Sequence, residues 1–77
     1  MYEEIIQIIP SPADMRAVFA TDVPGEYFSA PVVCLALKED REGIRFVVPM
    51  VYNGRGGFCD VNSTGNFEWL EVGGARV

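Results

Sequence analysis

Five or six short apolar segments, each ended by proline, glycine or a cluster of charged residues, fill this 77-residue chain almost from end to end. Isoleucine, valine and aromatic residues dominate these segments, and their branched or ring-bearing side chains favour extended backbone. Short apolar segments that alternate with turn residues are typical of antiparallel β-structure. The chain therefore predicts a small all-β domain.

The predicted strands are separated by recognisable turn sequences. They cover residues 3–9, 15–21, 31–38, 44–52, 58–61 and 67–72. These strands predict one antiparallel domain, residues 1–77, built as a five- to six-stranded SH3-like, partly open barrel or as a strongly bent sheet. Residues 73–77 are expected to form a frayed tail. The alternative is an α+β domain in which a short C-terminal helix begins after Asn66 and ends at Gly73.

The strongest local prediction is a β-hairpin formed by residues 31–38 and 44–52. Residues 31–38 are apolar on both faces, which indicates a central strand or a strand that is covered on both sides. Pro49 cannot donate a backbone hydrogen bond, so the second half of its strand is expected to be an edge or a bulge. A type II turn is expected at Pro24 and Gly25, because proline presets φ and glycine accepts a positive φ.

Composition and charge limit the classes of partner. The chain is 49 % hydrophobic and has a formal net charge of −5. A surface of this charge repels phosphate groups, so neither nucleic acid nor an anionic membrane is expected as a partner. No apolar segment approaches the roughly 20 residues that a membrane-spanning helix needs. The first four residues are acidic where a signal peptide is basic, and the chain is therefore expected to be cytoplasmic.

The reactive side chains give little support for catalysis. The chain contains no histidine, which excludes a histidine general base and a Cys–His pair. Cys34 lies within an apolar segment and is expected to be a buried thiol, while Cys59 has no obvious activating neighbour. A disulfide between them requires Cα atoms within about 7 Å of each other. We expect that the protein is not an enzyme, and a small enzyme without histidine is the weakest alternative.

One segment resembles the calcium loop of EF-hand proteins. The ligand positions of that loop correspond to Asp60, Asn62, Thr64, Asn66, Glu68 and Glu71, with Gly65 at the sharp turn. The segment departs from the family pattern at Phe67, where an aliphatic residue is usual, and three glycines in residues 53–59 exclude an entering helix. A strand exit advances about 3.3 Å per residue and would carry Glu71 roughly 16 Å from Asn66, out of reach of a shared ion.

Two interpretations of this segment remain. The first is a weak, partial calcium site that is formed by Asp60, Asn62, Thr64 and Glu68. The second is a polar turn whose side chains cap backbone N–H groups, and the composition favours it. No cofactor is expected, with a calcium ion as the one alternative that these residues leave open.

Three aromatic residues lie beside turns, where amphipathic rings serve as anchors for a peptide or another chain. They are Tyr27, Tyr52 and Trp69. Arg55, in the glycine-rich loop 53–57, is expected to reach the same partner. This loop reads as a hairpin turn rather than a phosphate-binding loop, because no lysine, hydroxyl residue or helix follows it.

These observations favour a non-catalytic protein-interaction module. A core this small rarely supplies more than roughly 3–5 kcal/mol, so a partner chain would help to stabilise it. The expected partner is another protein or a second copy of the chain, which would form a homodimer. A weak calcium-binding domain is the alternative from a different functional class.

Overall fold

The computed structural model describes residues 3–77, whose regular secondary structure is almost entirely β-strand. The strands among these residues are Glu3–Pro10 (β1), Met15–Ala20 (β2), Tyr27–Pro31 (β3), Cys34–Asp40 (β4), Arg45–Tyr52 (β5), Phe58–Asp60 (β6), Phe67–Val72 (β7) and Ala75–Arg76 (β8). One turn of 3₁₀-helix, Val61–Ser63, follows β6. The predicted all-β class is confirmed. Within residues 3–77, no helical segment has the length and apolar character that crossing a membrane requires.

The strands form two antiparallel sheets of four strands each. Sheet 1 has the order β1-β4-β5-β6, and sheet 2 has the order β3-β2-β7-β8. The described residues thus form eight strands instead of the five or six expected. The difference has two causes: β3, Tyr27–Pro31, was not predicted as a strand, and the end of the chain forms β8.

The predicted strand 31–38 is divided between the two sheets. The backbone N–H of Val32 donates to the carbonyl of Met15 in sheet 2, at 3.0 Å. The N–H of the next residue, Val33, donates to the carbonyl of Met50 in sheet 1, at 2.9 Å. The chain therefore changes sheet between β3 and β4. Most of the predicted strand belongs to β4, Cys34–Asp40, which lies between β1 and β5, and the prediction of a central strand is confirmed.

Both sheets contribute to one hydrophobic core. Its buried members are Ala17, Phe19, Val32, Ala36, Val48, Met50, Val51 and Val61. Val48 and Val61, each 1 % exposed, are the largest fully buried side chains. The core is built mainly from small residues, so each large side chain in it matters to the fold.

The predicted hairpin is confirmed in the pairing of β4 with β5, where Leu37 lies opposite Val47. Asp40 organises its loop, since Oδ1 accepts hydrogen bonds from the N–H groups of Glu42 and Ile44, both at 2.9 Å. The type II turn is also confirmed: Gly25 has a φ of 84°, and the turn is closed by a backbone hydrogen bond of 3.1 Å.

Pro49 limits the ladder between β5 and β6. The N–H of Asn53 donates to the carbonyl of Gly57 at 3.0 Å, so the odd-numbered residues of β5 are the ones whose backbone groups point toward β6. Because every second antiparallel pair is hydrogen-bonded, Pro49 would be the bonded partner of Val61. Pro49 has no N–H, and the chain turns into the 3₁₀-helix at this point. The half of β5 that lacks a partner on this side is therefore residues 45–49, and the prediction that the second half forms an edge or a bulge was wrong.

The last residues of the chain also differ from expectation. Residues 67–72 are strand β7 and not the alternative helix. Residues 73–77 are not a frayed tail, because β8 pairs with β7 and places Ala75 opposite Val72. Gly73 and Gly74 connect the two strands with φ values of 59° and 84°. A two-residue hairpin turn with positive φ at both positions is favourable for glycine.

Candidate interaction surfaces

The most exposed long strand of the described residues is β1. It pairs with β4 along one edge, and along its other edge no strand within residues 3–77 pairs with it. All eight of its residues are exposed. The exposed fractions of its isoleucines are 44 % for Ile5, 39 % for Ile6, 61 % for Ile8 and 39 % for Ile9. An apolar strip therefore borders an open row of backbone hydrogen-bonding groups.

The other sheet edges within residues 3–77 are short or blunted. β6 has three residues and β8 has two. The part of β5 without a partner on the β6 side, residues 45–49, begins with the charged Arg45 and ends with Pro49. β3 ends in Pro31, which has no N–H to offer. Natural sheets protect their edges in these ways, and also with charged side chains. A register shift in the pairing with β4 makes Ile6 a β-bulge. The other protection of β1 lies only at its ends, in Glu3 and Glu4 at the beginning and Pro10 at the end. The five residues between them, 5–9, are uncharged.

The hydrogen-bond phase of sheet 1 shows which backbone groups of β1 face the open edge. The N–H of Asp40 donates to the carbonyl of Ile44 at 2.9 Å, so the even-numbered residues of β4 bond to β5. The odd-numbered residues of β4 therefore bond to β1, where Leu37 lies opposite Gln7 and Leu35 lies opposite Ile9. Ile8 lies between these two residues. Its N–H and C=O groups therefore point away from β4, toward the open edge.

Two of the predicted aromatic anchors lie together on sheet 2. The ring centroids of Tyr27 and Trp69 are 5.0 Å apart. The guanidinium carbon of Arg76 lies 4.3 Å from the centroid of the Trp69 ring, and the indole Nε1–H donates to Glu71 at 3.0 Å. Tyr27 is 50 % exposed, while Trp69 is only partly exposed. The indole is held by its neighbours, and the tyrosine is the more accessible member of the pair.

The third anchor, Tyr52, belongs to a separate pair on sheet 1. Its ring centroid lies 4.9 Å from that of Phe58, its cross-strand neighbour. Tyr52 also lines a cleft of 380 Å³ between the sheets, together with Phe28 and Cys59. Arg55 is exposed in the adjoining turn, where its backbone N–H donates to the side chain of Asn53 at 2.8 Å. The four residues predicted as one patch are thus distributed over two surfaces, and both remain predictions as binding sites.

Sequence reasoning missed two of these features. Phe58, which is 55 % exposed, was not predicted beside Tyr52, although the glycine-rich hairpin turn between them could have indicated their pairing. The apolar residues 5–9 were predicted as a strand without being recognised as a surface. Their lack of charge was the available signal, since uncharged β-prone segments are prone to pair with further strands.

The side chains proposed as calcium ligands make other contacts. Asp60 caps the 3₁₀-helix through the N–H of Ser63 at 2.8 Å, and its other carboxylate oxygen accepts a hydrogen bond from Lys38. The hydroxyl of Thr64 donates to a backbone carbonyl of the same turn at 2.8 Å. Glu68 is the extra residue at the register shift in the pairing of β2 with β7.

The remaining members of the EF-hand pattern are further apart. Asn62 is exposed at the surface of the turn. Asn66 donates from its side chain to the carbonyl of Ala20 at 2.8 Å. Because β7 is a strand, its extended backbone carries Glu71 roughly 16 Å from Asn66. Among residues 3–77, no three histidine, cysteine, aspartate or glutamate side chains are grouped so that they could hold a metal ion.

Lys38 is the one lysine of the chain and is only 9 % exposed. Its ammonium group donates to Asp60 and also to Glu3, the latter at 3.3 Å. The hydrogen bond to Asp60 raises the pKa of Lys38; burial opposes this change, and Glu3 adds to it. A lysine that acts as a base or nucleophile needs a lowered pKa. Lys38 is therefore a structural cation that links β1, β4 and β6.

The positions of the two cysteines decide the question of a disulfide. Cys34 lies on β4 and Cys59 on β6, with β5 between them. Two strand spacings separate the backbones by about 10 Å, which exceeds the roughly 7 Å that a disulfide can span. Both thiols are free and partly buried.

Comparison of the chain with protein-family models, curated proteins and solved structures gives no match. The functional inference therefore depends on the surfaces described above.

Proposed function

We propose that this protein is a non-catalytic protein-interaction module that binds a polypeptide by strand addition at the open edge of β1. The observation that carries the proposal is that all eight residues of β1 are exposed, among them four isoleucines, and that no described strand pairs with its outer edge. An added strand would satisfy the outward backbone groups and cover the apolar side chains, which is a common mode of peptide recognition.

The energetics of β1 support this proposal. Full burial of an isoleucine side chain contributes roughly 1.5–3 kcal/mol. Ile8 is 61 % exposed, so its coverage by a partner would contribute about 1–2 kcal/mol. The other three isoleucines are about 40 % exposed and would contribute less each.

Other features support the remaining parts of the proposal. The lack of histidine and the raised pKa of Lys38 favour binding over catalysis. The net charge of −5 disfavours nucleic acids and anionic membranes as partners. Two free cysteines fit a reducing compartment, which supports the cytoplasm as the place of action.

The test compares two lysine substitutions at sites of similar exposure. Ile8→Lys places a charge on the open edge of β1, and Val47→Lys is the matched control on β5, since the two side chains are 61 % and 57 % exposed. Each tagged protein is incubated with cell extract, and retained polypeptides are quantified by mass spectrometry. We expect that wild type and Val47→Lys retain the same polypeptides and that Ile8→Lys loses them. Equal retention by all three folded proteins would contradict a binding surface at β1.

A further inference from the structure

We infer that β1 is a detachable strand, which separates from β4 as a unit while the core between the two sheets stays folded. The connecting residues 11–14 act as the hinge, and separation exposes the edge of β4 that β1 covers in the closed form. The inference goes beyond the proposed function, which concerns the outer edge of β1 in the closed form. It depends on three features of β1: its contribution to the core, its pairing with β4 and its attachment at each end.

β1 contributes no side chain to the hydrophobic core of the described residues. It supplies neither a buried core residue nor one of the partly buried hydrophobic residues that pack against the core. Of the other strands within residues 3–77, only the two-residue β8 shares this property. The isoleucines of β1 are 39–61 % exposed, so much of their surface is in contact with water before the strand separates. The hydrophobic effect therefore opposes the separation only weakly.

The pairing of β1 with β4 is interrupted within the strand. The register shifts between Ile5 and Gln7, and Ile6 is a β-bulge without a partner on β4. The bulge divides the ladder into residues 3–5 and residues 7–10, and β4 is the only strand within residues 3–77 that pairs with either part. Each hydrogen bond between strands contributes modestly to stability, while separation restores the backbone entropy of all eight residues of β1. A local opening of low free energy is expected from this balance.

Polar contacts attach both ends of β1 to the rest of the fold. At the start, Glu3 accepts a hydrogen bond from Lys38 at 3.3 Å, and the Glu3 side chain is 31 % exposed. Just after the strand, the hydroxyl of Ser11 donates to the carbonyl of Val32 at 2.8 Å. The Ser11 contact fixes the point from which β1 departs, and the Glu3 contact is one that separation breaks. Lys38 remains paired with Asp60 after separation, so no buried charge is left without a partner.

Separation of β1 regulates the surface that was proposed above as the binding site. The outer edge of β1 continues sheet 1 only in the closed form, because the separated strand has lost its register with β4. A polypeptide bound at that edge therefore stabilises the closed form and makes opening less frequent. This consequence, unlike the opening itself, rests on the proposed function.

The hydrogen-bond phase of β4 allows the opening to be measured within one strand. The N–H groups of Leu35, Leu37 and Glu39 point to β1 and are the β1-facing amides. The N–H groups of Ala36 and Lys38 point to β5 and are the β5-facing amides. Separation of β1 exposes the first group alone. Exchange of the second group requires that β4 and β5 separate, which disrupts the core.

The first experiment is native-state hydrogen exchange of the full chain by NMR, in urea concentrations below the unfolding transition. We expect protection factors at least about tenfold lower for the β1-facing amides than for the β5-facing amides. We also expect a much weaker dependence on urea, because a local opening exposes less surface than global unfolding. The three β1-facing amides should share one opening free energy, as a cooperative unit requires. Equal protection and equal urea dependence of the two groups would overturn the inference, and so would three unrelated opening free energies.

The second experiment weakens the pairing of β1 by substitution. Gln7→Pro removes the N–H that faces Leu37, and Gln7→Ala is the matched control that retains it. For Gln7→Pro we expect the protection of the β1-facing amides to fall at least about fivefold. The β5-facing amides and the urea midpoint should stay unchanged, and Gln7→Ala should resemble wild type in both groups.

Two results of the second experiment would overturn the inference. Loss of protection in both groups, or loss of the fold, would show that the core needs β1. Unchanged protection of the β1-facing amides would show that the pairing of β1 does not control their exchange. Neither result decides whether the closed form binds a polypeptide, which the comparison of Ile8→Lys with Val47→Lys tests separately.

Discussion

Replacement of Lys38 by methionine is expected to destabilise the fold by about 3 kcal/mol. Methionine keeps an unbranched apolar stem and removes the ammonium group. Asp60, whose side chain is 13 % exposed, would then lose its cation, and so would Glu3, whose side chain is 31 % exposed. A nearly buried carboxylate without its counter-charge is the cause of the expected loss.

The structure indicates that the loss of stability lies at the lower end of the range that is usual for a broken buried ion pair. Removal of one partner from a buried ion pair costs roughly 3–5 kcal/mol. Here Asp60 retains the hydrogen bond from the N–H of Ser63 at 2.8 Å, and Glu3 is partly solvated. In a domain of this size, about 3 kcal/mol corresponds to a fall in melting temperature of roughly 12–24 °C. Such a loss approaches the whole stability that a small core supplies, so the variant is expected to be partly unfolded at 37 °C.

Urea denaturation followed by tryptophan fluorescence measures this effect, and the chain offers a matched control. Arg45 forms an ion pair with Glu39 at 2.9 Å on the neighbouring strand, but its side chain is 63 % exposed. Arg45→Met is expected to cost less than about 1 kcal/mol, since solvent screens exposed pairs. If the two methionine variants lost equal stability, burial of the Lys38 ion pairs would not be what stabilises this region.

The pH dependence of the same interaction has a definite sign. The pKa of Lys38 is raised in the folded state, above its ordinary value of 10.5. Below pH 10.5 the ammonium group of Lys38 is protonated in both the folded and the unfolded chain, and the stabilisation from its ion pairs is fully present. Above it the unfolded chain loses the proton first, so stability falls as pH rises toward the folded pKa. The difference in melting temperature between wild type and Lys38→Met should therefore shrink at high pH, and a constant difference between pH 9 and about 12 would refute this assignment.

Three further predictions follow from the core, the thiols and the polar turn. Phe19→Ala is expected to cost roughly 3–5 kcal/mol by urea denaturation, whereas Phe28→Ala should cost much less, because the two stacked rings are 3 % and 51 % exposed. Thiol titration of the unfolded, unreduced protein should find both Cys34 and Cys59 reactive; a missing pair of thiols would contradict their positions on either side of β5. Millimolar calcium is expected to leave the melting temperature unchanged, because Asp60 is already paired, and a rise of several degrees would restore the calcium hypothesis.

Local features of the fold were predictable from the sequence. The β4–β5 hairpin was predicted because a polar loop ending in glycine separates two apolar segments of strand length. The turn at Gly25 was predicted because only a few residue types accept its positive φ. By contrast, the ordered end of the chain was missed, since two adjacent glycines are typical both of a flexible tail and of a tight hairpin turn.

The candidate surface was only partly predictable. Residues 5–9 were recognised as a strand, but exposure depends on what packs against a strand. The aromatic anchors show the same limit. Tyr27 and Tyr52 both lie beside turns, yet they lie on different sheets, and a turn by itself does not determine which sheet its strands join.

The sequence alone determined that the chain is all-β, where most of its strands lie and that it has no histidine for catalysis. These properties depend on neighbouring residues or on composition. Only the tertiary structure decided that the chain changes sheet at Val32 and Val33, that Lys38 is paired, and that one edge of β1 stays open. Each of these features depends on partners distant in the chain, such as Glu3, which lies 35 residues from Lys38. A local pattern specifies which residues can pair, and the packing of the whole chain selects the partners and leaves β1 exposed.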